Sequence, residues 1–239
     1  MIKAVIMDVG KTVVTNRIID FKKALLAVYE LDKKEEKIDF TRYYDLFSSL
    51  KKISFYPARE IMSEVRIGDF LEVLNEIAGI NAGMDKDELE WFFQCNLIEE
   101  ELIPGVYDFL KFLKEEKLPL IALSNSCMTS KAIKREFKEF GVDSFFLDVI
   151  SSADILVRKP RKEIFDYAYG KLLKVNPEVK KEEILFIGDN YECDIIGSAN
   201  AGMVPVWLNW KHEKIENNSF TFFSVDSYQE IEKIIKQVK

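Results

Sequence analysis

The sequence predicts an α/β fold with a parallel sheet, and two observations support that prediction. Strand-like runs recur along the chain at Lys3 to Met7, Leu118 to Leu123, Asp148 to Ser151, Ile184 to Ile187 and Val204 to Leu208. Between the later runs, apolar residues recur at helical spacing after Pro104-Gly105 and again after Pro160. Strands that alternate with helices form parallel sheets with right-handed crossovers.

The region between the first two strand-like runs shows a different pattern. Its apolar residues recur at helical spacing on two faces, the first made by Ile18, Phe21, Leu25 and Val28 and the second by Ile61, Val65, Leu71, Leu74 and Ile77. This pattern predicts helix throughout and no strand. We therefore expect residues 15–99 to form an all-helical domain, inserted into a core made of residues 1–14 and 100–239.

The composition is that of a soluble globular protein. The chain has 239 residues, of which 48% are hydrophobic and 31% charged, so it can bury a sizeable core. The formal net charge of −7 disfavours nucleic acid or an anionic membrane as a partner, because both reward a basic face. No apolar stretch approaches the roughly 20 residues that span a bilayer, and the chain starts without a signal-peptide pattern. We expect a cytoplasmic protein, and the oligomeric state stays open.

The cysteines and the histidine exclude several kinds of site. Cys95, Cys127 and Cys193 lie far apart and share no metal-ligand spacing, which argues against a disulfide framework or a zinc site. Cys127 and Cys193 are close in sequence to candidate site residues, but we expect them to be packing residues. His212 is the only histidine, so a histidine-centred catalytic triad is not expected.

Polar residues stand where four of the strand-like runs end. Asp8 follows the first run, Ser124-Asn125 the second and Gly188-Asp189 the fourth, while Lys159 lies in the loop after the third. The carboxyl ends of parallel strands converge on one crevice, so we expect these residues to meet there. A carboxylate at the end of a buried strand is a candidate nucleophile, which makes Asp8 the most informative residue of the chain.

The order of these residues resembles the four sequence motifs of the haloacid dehalogenase superfamily. The motifs are Asp8 with Thr12, then Ser124, then Lys159-Pro160, then Gly188-Asp189 with Asp194. The resemblance covers the first dozen residues and about Leu102 to Leu208. It implies a Rossmann-like three-layer core with a parallel sheet, and it identifies the helical insert at 15–99 as a cap domain. Since most members are phosphatases, it also implies a small-molecule phosphate substrate.

The chemistry expected at these residues is phosphoryl transfer to a carboxylate. Asp8 would attack phosphorus to give an aspartyl phosphate, and Ser124, Asn125 and Lys159 would hold the phosphoryl oxygens. Carboxylate and phosphate repel each other, so a hard cation such as Mg²⁺ is expected between them, with Asp8 and Asp189 as ligands.

The resemblance adds three supporting roles. It implies that the backbone carbonyl of Gly10 is a further metal ligand and that Thr12 supports the site. It also places at Asp194 a second acid that holds either the water shell of the ion or the lysine. From its position alone, Asp194 is equally consistent with an acid that stabilises a helix N-terminus.

One departure from the family pattern affects the expected activity. Most phosphatases of this type carry a second aspartate two residues after the nucleophile, where this chain has Gly10. Glycine cannot perform general acid–base catalysis, which contributes about 10²- to 10⁴-fold. The enzyme is then expected to be slow, to prefer good leaving groups, or to recruit an acid from the cap or from Lys11.

Gly10 also keeps other functions open. A 2-haloacid dehalogenase needs no acid at this position, and Arg17, Arg42 or Arg59 would hold the substrate carboxylate, but the acidic pair Asp189 and Asp194 favours a metal and hence phosphate. A phosphonate hydrolase would need a Schiff-base lysine such as Lys51 or Lys52. The third alternative is a catalytically impaired regulatory protein that binds phosphate and Mg²⁺.

Overall fold

The computed structural model describes residues 1–215 and 220–237, without the side chains of residues 16 and 17. The strands are β1 (Ala4–Met7), β2 (Val14–Ile19), β3 (Ile98–Leu102), β4 (Leu120–Ser124), β5 (Asp148–Ser151), β6 (Ile184–Gly188), β7 (Val204–Leu208) and β8 (Phe223–Val225). The helices are α1 (Phe21–Tyr29), α2 (Phe40–Glu60), α3 (Ile67–Ala78), α4 (Lys86–Leu97), α5 (Val106–Glu115), α6 (Ser130–Glu139), α7 (Ser152–Ile155), α8 (Lys162–Leu173), α9 (Gly197–Asn200) and α10 (Tyr228–Gln237).

The described part of the chain contains a six-stranded parallel sheet in the order β5-β4-β1-β6-β7-β8. Strand β1 lies between β4 and β6, with Met7 opposite Ala122 on one side and Ile187 on the other. The first five strands in this order were predicted, and β8 was not. Strand β8 is only three residues long and pairs with β7, at the edge of the sheet. A strand this short shows little periodicity in the sequence.

Helices cover both faces of the sheet, which confirms the predicted α/β architecture. The β1 residues Val5 and Met7 belong to a core cluster with α5, α6 and α10, while Ala4 and Ile6 belong to a second cluster with α8. Because successive residues of a strand point to opposite faces, a strand covered on both sides must be apolar throughout. All four residues of β1 are indeed buried.

The insert has a hydrophobic core of its own. Helices α1 to α4 pack around Leu25, Tyr43, Leu71 and Phe93, none of which has any exposed surface. The Tyr43 hydroxyl donates a 2.6 Å hydrogen bond to Oδ1 of Asn75, which satisfies both polar groups inside this core. The insert is therefore a small helical unit, as the sequence predicts.

The prediction of helix from residue 15 onward is wrong at the start of the insert. Residues Val14–Ile19 form β2, which pairs antiparallel with β3. Four of its six residues are β-branched, which favours a strand, but the pairing partner lies about 80 residues further along the chain. The two-stranded ribbon of β2 and β3 connects the core to the insert. Both predicted domain boundaries, at 14/15 and 99/100, fall within this ribbon and stay a prediction.

Hydrogen bonds join the insert to loops at the carboxyl ends of β4 and β5. Glu64 accepts a 2.8 Å bond from the Ser152 hydroxyl and pairs with Arg158. Glu90 accepts bonds from the N–H and hydroxyl of Thr129, at 2.6 and 2.7 Å. The insert thus covers the sheet edge where the candidate site residues lie. No helix among residues 1–215 and 220–237 is long and apolar enough to cross a membrane.

Candidate active site

Asp8 occupies the first position after the central strand β1. Its N–H donates a 2.8 Å hydrogen bond to the carbonyl of Ile187, which continues the pairing with β6 by one residue. The following turn closes when the Val13 N–H donates to the Val9 carbonyl at 2.7 Å. Asp8 is only 7% exposed, so the parallel sheet presents a nearly buried carboxylate at its carboxyl edge.

Side chains from distant parts of the chain hold the turn after Asp8. The Thr12 hydroxyl points at Asp8 Oδ2 from 3.4 Å, and the Tyr228 hydroxyl of α10 donates to the Thr12 carbonyl. The indole N–H of Trp210 donates to the Lys11 carbonyl at 2.9 Å. Lys11 has a φ of +58°, a left-handed conformation that is uncommon outside glycine, and these contacts stabilise it.

Lys159 brings its charge directly to the candidate nucleophile. Its Nζ lies 2.6 Å from Asp8 Oδ1, 2.6 Å from Asp194 Oδ1 and 3.0 Å from the Leu123 carbonyl, and the side chain is 2% exposed. Burial alone would lower the pKa of Lys159, but the Asp194 and Asp8 carboxylates outweigh it and raise that pKa above its usual value. Lys159 is therefore a buried, protonated cation.

Asn125 fixes the backbone that carries this lysine. Its side-chain amide donates to the Lys159 carbonyl at 2.9 Å, and its Oδ1 accepts the Lys159 N–H at 2.8 Å. The Asn125 side chain thus supports Lys159, and its contact with phosphoryl oxygens stays a prediction. Ser124 ends β4 next to β1 and is 6% exposed, so the same edge of the sheet holds it near Asp8.

Asp194 makes two contacts that the sequence offered as alternatives, one with Lys159 and one with the start of a helical turn. It pairs with Lys159, and its Oδ2 accepts the N–H of Asn190 at 3.0 Å where the π-helical turn Tyr191–Ile196 begins. Burial raises the pKa of Asp194, while the Lys159 ammonium opposes that effect. A Cβ atom on Gly188 would lie 2.4 Å from the Asp194 carboxylate, so this arrangement requires glycine there.

Asp189 completes an acidic cluster with the oxygen ligands that Mg²⁺ prefers. Carboxylate oxygens of Asp8, Asp189 and Asp194 lie within 4.8 Å of one another. Burial, and after it the Asp8 carboxylate, raises the pKa of Asp189 to about 6. Carboxylate oxygens this close together suit a hard divalent cation, so the residues present fit the expected ion.

Gly10 leaves open space at the position of the missing acid. It is exposed, and a Cβ atom built on it meets no atom within 4 Å. The backbone there is outside the left-handed region that would strain another residue. A side chain at position 10 is thus sterically acceptable, and packing does not explain the glycine.

The remaining sequence candidates lie outside the acidic cluster. The Cys127 carbonyl accepts the Ile67 N–H at 2.9 Å, and burial raises the pKa of its thiol to about 12, which fits a packing role. His212 is exposed and lies 3.4 Å from Asp226. The side chain of Arg17 lies outside the described residues, while Arg42 and Arg59 are exposed on α2.

Sequence reasoning missed several residues that shape the site. Trp210 and Tyr228 hold the turn after Asp8, and Glu64 and Arg158 join the insert to the loop that carries Lys159. Trp210 follows β7 by two residues, so the strand-end argument that found Asp8 could also have found it. Tyr228 and Glu64 have no comparable local signal.

Comparison with known proteins identifies relatives of the whole arrangement. The family model of haloacid dehalogenase-like hydrolases matches residues 2–202. Pyrimidine 5'-nucleotidase YjjG of Escherichia coli is 29% identical over 134 residues, which cover 56% of each protein. Pyrimidine 5'-nucleotidase PynA of Streptococcus pneumoniae is 24% identical over 218 residues, which cover 90% of this chain and 89% of the relative.

Solved structures show the same fold. The 2-haloacid dehalogenase of Pseudomonas syringae matches with a TM-score of 0.64 at 18% identity, over 100% of both chains. Similarity at this identity concerns the fold alone, and the match to YjjG spans only about half of that relative. The family model, in contrast, spans the strand ends and loops that carry Asp8, Ser124, Lys159 and Asp189. The chain therefore belongs to the haloacid dehalogenase-like hydrolase family.

Proposed function

We propose that the protein is a Mg²⁺-dependent phosphatase that hydrolyses a small phosphomonoester through an aspartyl phosphate on Asp8. The observation that supports this most directly is the buried trio of Asp8, Lys159 and Asp194, with 2.6 Å between the ammonium and each carboxylate. A cation beside a nucleophilic carboxylate offsets the repulsion between that carboxylate and a phosphoryl group. The nucleotidase names of two relatives support the same chemistry.

The proposed reaction has two displacements. In the first, an oxygen of Asp8 bonds to phosphorus, and the bond from phosphorus to the ester oxygen breaks. The ester oxygen leaves as an alkoxide or phenolate that takes a proton from solvent. In the second, water attacks phosphorus, the bond to Asp8 breaks, and inorganic phosphate leaves with Asp8 restored as a carboxylate.

The residues around Asp8 have distinct proposed tasks. Lys159, held by Asp194 and Asn125, neutralises the phosphoryl oxygens, and Ser124 with the Asn125 N–H orients them. Asp8, Asp189 and the Gly10 carbonyl would hold Mg²⁺. When bound, this ion supplies positive charge that screens the phosphoryl group from the carboxylates.

Gly10 determines which substrates this site can process well. Without an acid two residues after the nucleophile, a leaving group must depart with little help from protonation. Phenolates and other weakly basic leaving groups meet that condition, whereas simple alkoxides do not. We therefore infer a preference for phosphate esters with good leaving groups.

The same glycine supports two other candidates, a dehalogenase and a phosphate-binding protein without turnover. A halide leaves without a proton, so the missing acid would cost a dehalogenase nothing. The acidic cluster favours the phosphatase, because Asp189 beside Asp8 would oppose the binding of a carboxylate substrate unless a cation lay between them.

Hydrolysis of p-nitrophenyl phosphate tests the proposal. The assay compares the wild type with Asp8→Asn, with and without Mg²⁺, and uses Asp45→Asn as control because Asp45 is exposed on α2. We expect turnover that requires both Asp8 and Mg²⁺ and is unchanged in the control. Turnover that survives Asp8→Asn, or release of halide from a 2-haloacid in place of phosphate, would refute the phosphatase assignment.

A further inference from the structure

A cavity of about 480 Å³ opens beside the acidic cluster, on the side of β7. The end of β7 and the residues after it form one wall, and the turn after Asp8, the start of β2 and the segment between β3 and α5 form the others. Its lining includes Lys11, Thr15, Asp189, Trp207, Trp210 and Lys211. Its volume lies within the range of about 300 to 1,000 Å³ that is usual for small-molecule sites.

The walls of this cavity are largely apolar and aromatic. Trp210 is 36% exposed, although a tryptophan presents a large apolar surface that proteins usually cover. Its ring is fixed by the N–H bond to the Lys11 carbonyl and by an edge contact with Tyr228 at 5.8 Å between ring centroids. Ile103, Pro104 and Leu208 line the same space. The cavity thus presents a preorganised indole to a flat ligand.

The cavity is continuous with the proposed reaction centre. Asp189 lines it, and the Asp189 carboxylate lies within 4.8 Å of Asp8. Trp207 donates its indole N–H to the Asp189 carbonyl at 2.9 Å, which joins the cavity wall to the acidic cluster. A phosphoryl group at Asp8 is therefore close enough for its ester group to reach the cavity.

The charges at the rim also suit a phosphate ester. Lys11 and Lys211 line the same cavity as Asp189 and bring two positive charges to that end of it. The Lys211 side chain is 70% exposed, and its Nζ lies 3.8 Å from Glu213 Oε1. An ion pair that long and that exposed is weak, so Lys211 keeps most of its charge for a ligand. An apolar cleft with cations near its acidic end favours a ligand with an apolar body and an anionic end.

We propose that this cavity binds the organic group of the substrate and that this group is an aromatic or heteroaromatic ring stacked on Trp210. The proposal rests on the phosphatase function proposed above and specifies its substrate class as phosphate esters with a ring next to the ester oxygen. Such esters include those with weakly basic leaving groups, which is what the glycine at position 10 requires. The cavity and Gly10 thus select the same class independently.

Binding measured without turnover tests this assignment. In the Asp8→Asn protein with Mg²⁺, calorimetry compares the Kd of 1-naphthyl phosphate with that of methyl phosphate. Stacking on an aromatic side chain predicts that the naphthyl ester binds about tenfold more tightly. Trp210→Ala in this background should abolish the preference, whereas Trp210→Phe should retain most of it.

The phenylalanine variant separates stacking from a structural role. Both Trp210 variants lose the N–H bond to the Lys11 carbonyl, and only Trp210→Phe keeps a ring. A second variant, Thr15→Phe, should fill the cavity and abolish the preference without touching Trp210. Trp91→Ala is the matched control, since Trp91 lies on α4 against Arg135, away from the cavity.

Each outcome decides the assignment. Equal Kd values for the two esters would overturn it, and so would a preference that survives both Trp210→Ala and Thr15→Phe. If Trp210→Ala and Trp210→Phe reduced the preference for the naphthyl ester equally, and Thr15→Phe did not change it, Trp210 would only support the turn after Asp8. That result would overturn the stacking proposal. If the preference is present but the wild type hydrolyses neither ester, the cavity binds an aromatic ring, while the phosphatase function and with it the substrate class are refuted.

Discussion

Replacing Gly10 by aspartate is expected to raise the hydrolysis of alkyl phosphates far more than that of aryl phosphates. The structure allows the change, since a Cβ atom at position 10 meets nothing within 4 Å and the backbone is not left-handed. The new carboxyl group would lie two residues after Asp8, at the exposed rim of the site. There it can protonate a departing alkoxide and later activate water.

The expected gain follows from what general acid–base catalysis contributes. A positioned acid accelerates a reaction by about 10²- to 10⁴-fold, which corresponds to about 3 to 5 kcal/mol of activation free energy. The full effect requires a leaving group that needs a proton. We expect a gain in kcat/KM of about 10²-fold or more for ethyl phosphate and of less than about tenfold for p-nitrophenyl phosphate.

Steady-state kinetics with a series of esters measures this difference. The dependence of log kcat/KM on leaving-group pKa should be steep in the wild type and shallow in Gly10→Asp. Gly10→Asn is the matched control, because its side chain has nearly the same shape and cannot act as an acid. Equal gains for alkyl and aryl esters, or the same gain in Gly10→Asn, would refute this account of Gly10.

Two further substitutions test the buried charges. Lys159→Met should abolish turnover and lower the free energy of unfolding at pH 7 by about 3 to 5 kcal/mol, since Asp8 and Asp194 would lose their shared cation. Urea unfolding of this variant beside Lys52→Met, an exposed control, measures the loss, and an unchanged stability would contradict the pairing. Burial and then the Glu100 carboxyl raise the pKa of Glu136 on α6, so the folded state keeps a proton that the unfolded state releases above its pKa near 4.5. Wild-type stability should therefore fall as pH rises above that value, and Glu136→Gln should remove this loss, with a gain that grows from pH 5 to pH 8 to roughly 1–3 kcal/mol. Unfolding at several pH values beside the exposed control Glu115→Gln measures the gain, and a difference that does not change with pH would count against it.

Most of the candidate site residues were visible in the sequence because they follow a local rule. Asp8, Ser124 and Asp189 each stand where an apolar strand ends, and such ends meet at one edge of a parallel sheet. The helical insert was visible for a similar reason, since helical periodicity repeats within a few residues. Strand β2 was not, because its stability comes from pairing with β3 at the far end of the insert.

The sequence by itself determined the α/β class, the insert and the residues that meet at the edge of the sheet. The tertiary structure alone decided how those residues are paired: Lys159 between Asp8 and Asp194, and Asn125 on the Lys159 backbone. It also decided that Trp210 borders a cavity that reaches Asp189. The physical reason is the separation of the residues along the chain. Periodicity and strand ends are local properties of the sequence, whereas ion pairs and cavities depend on distant residues that the fold brings together.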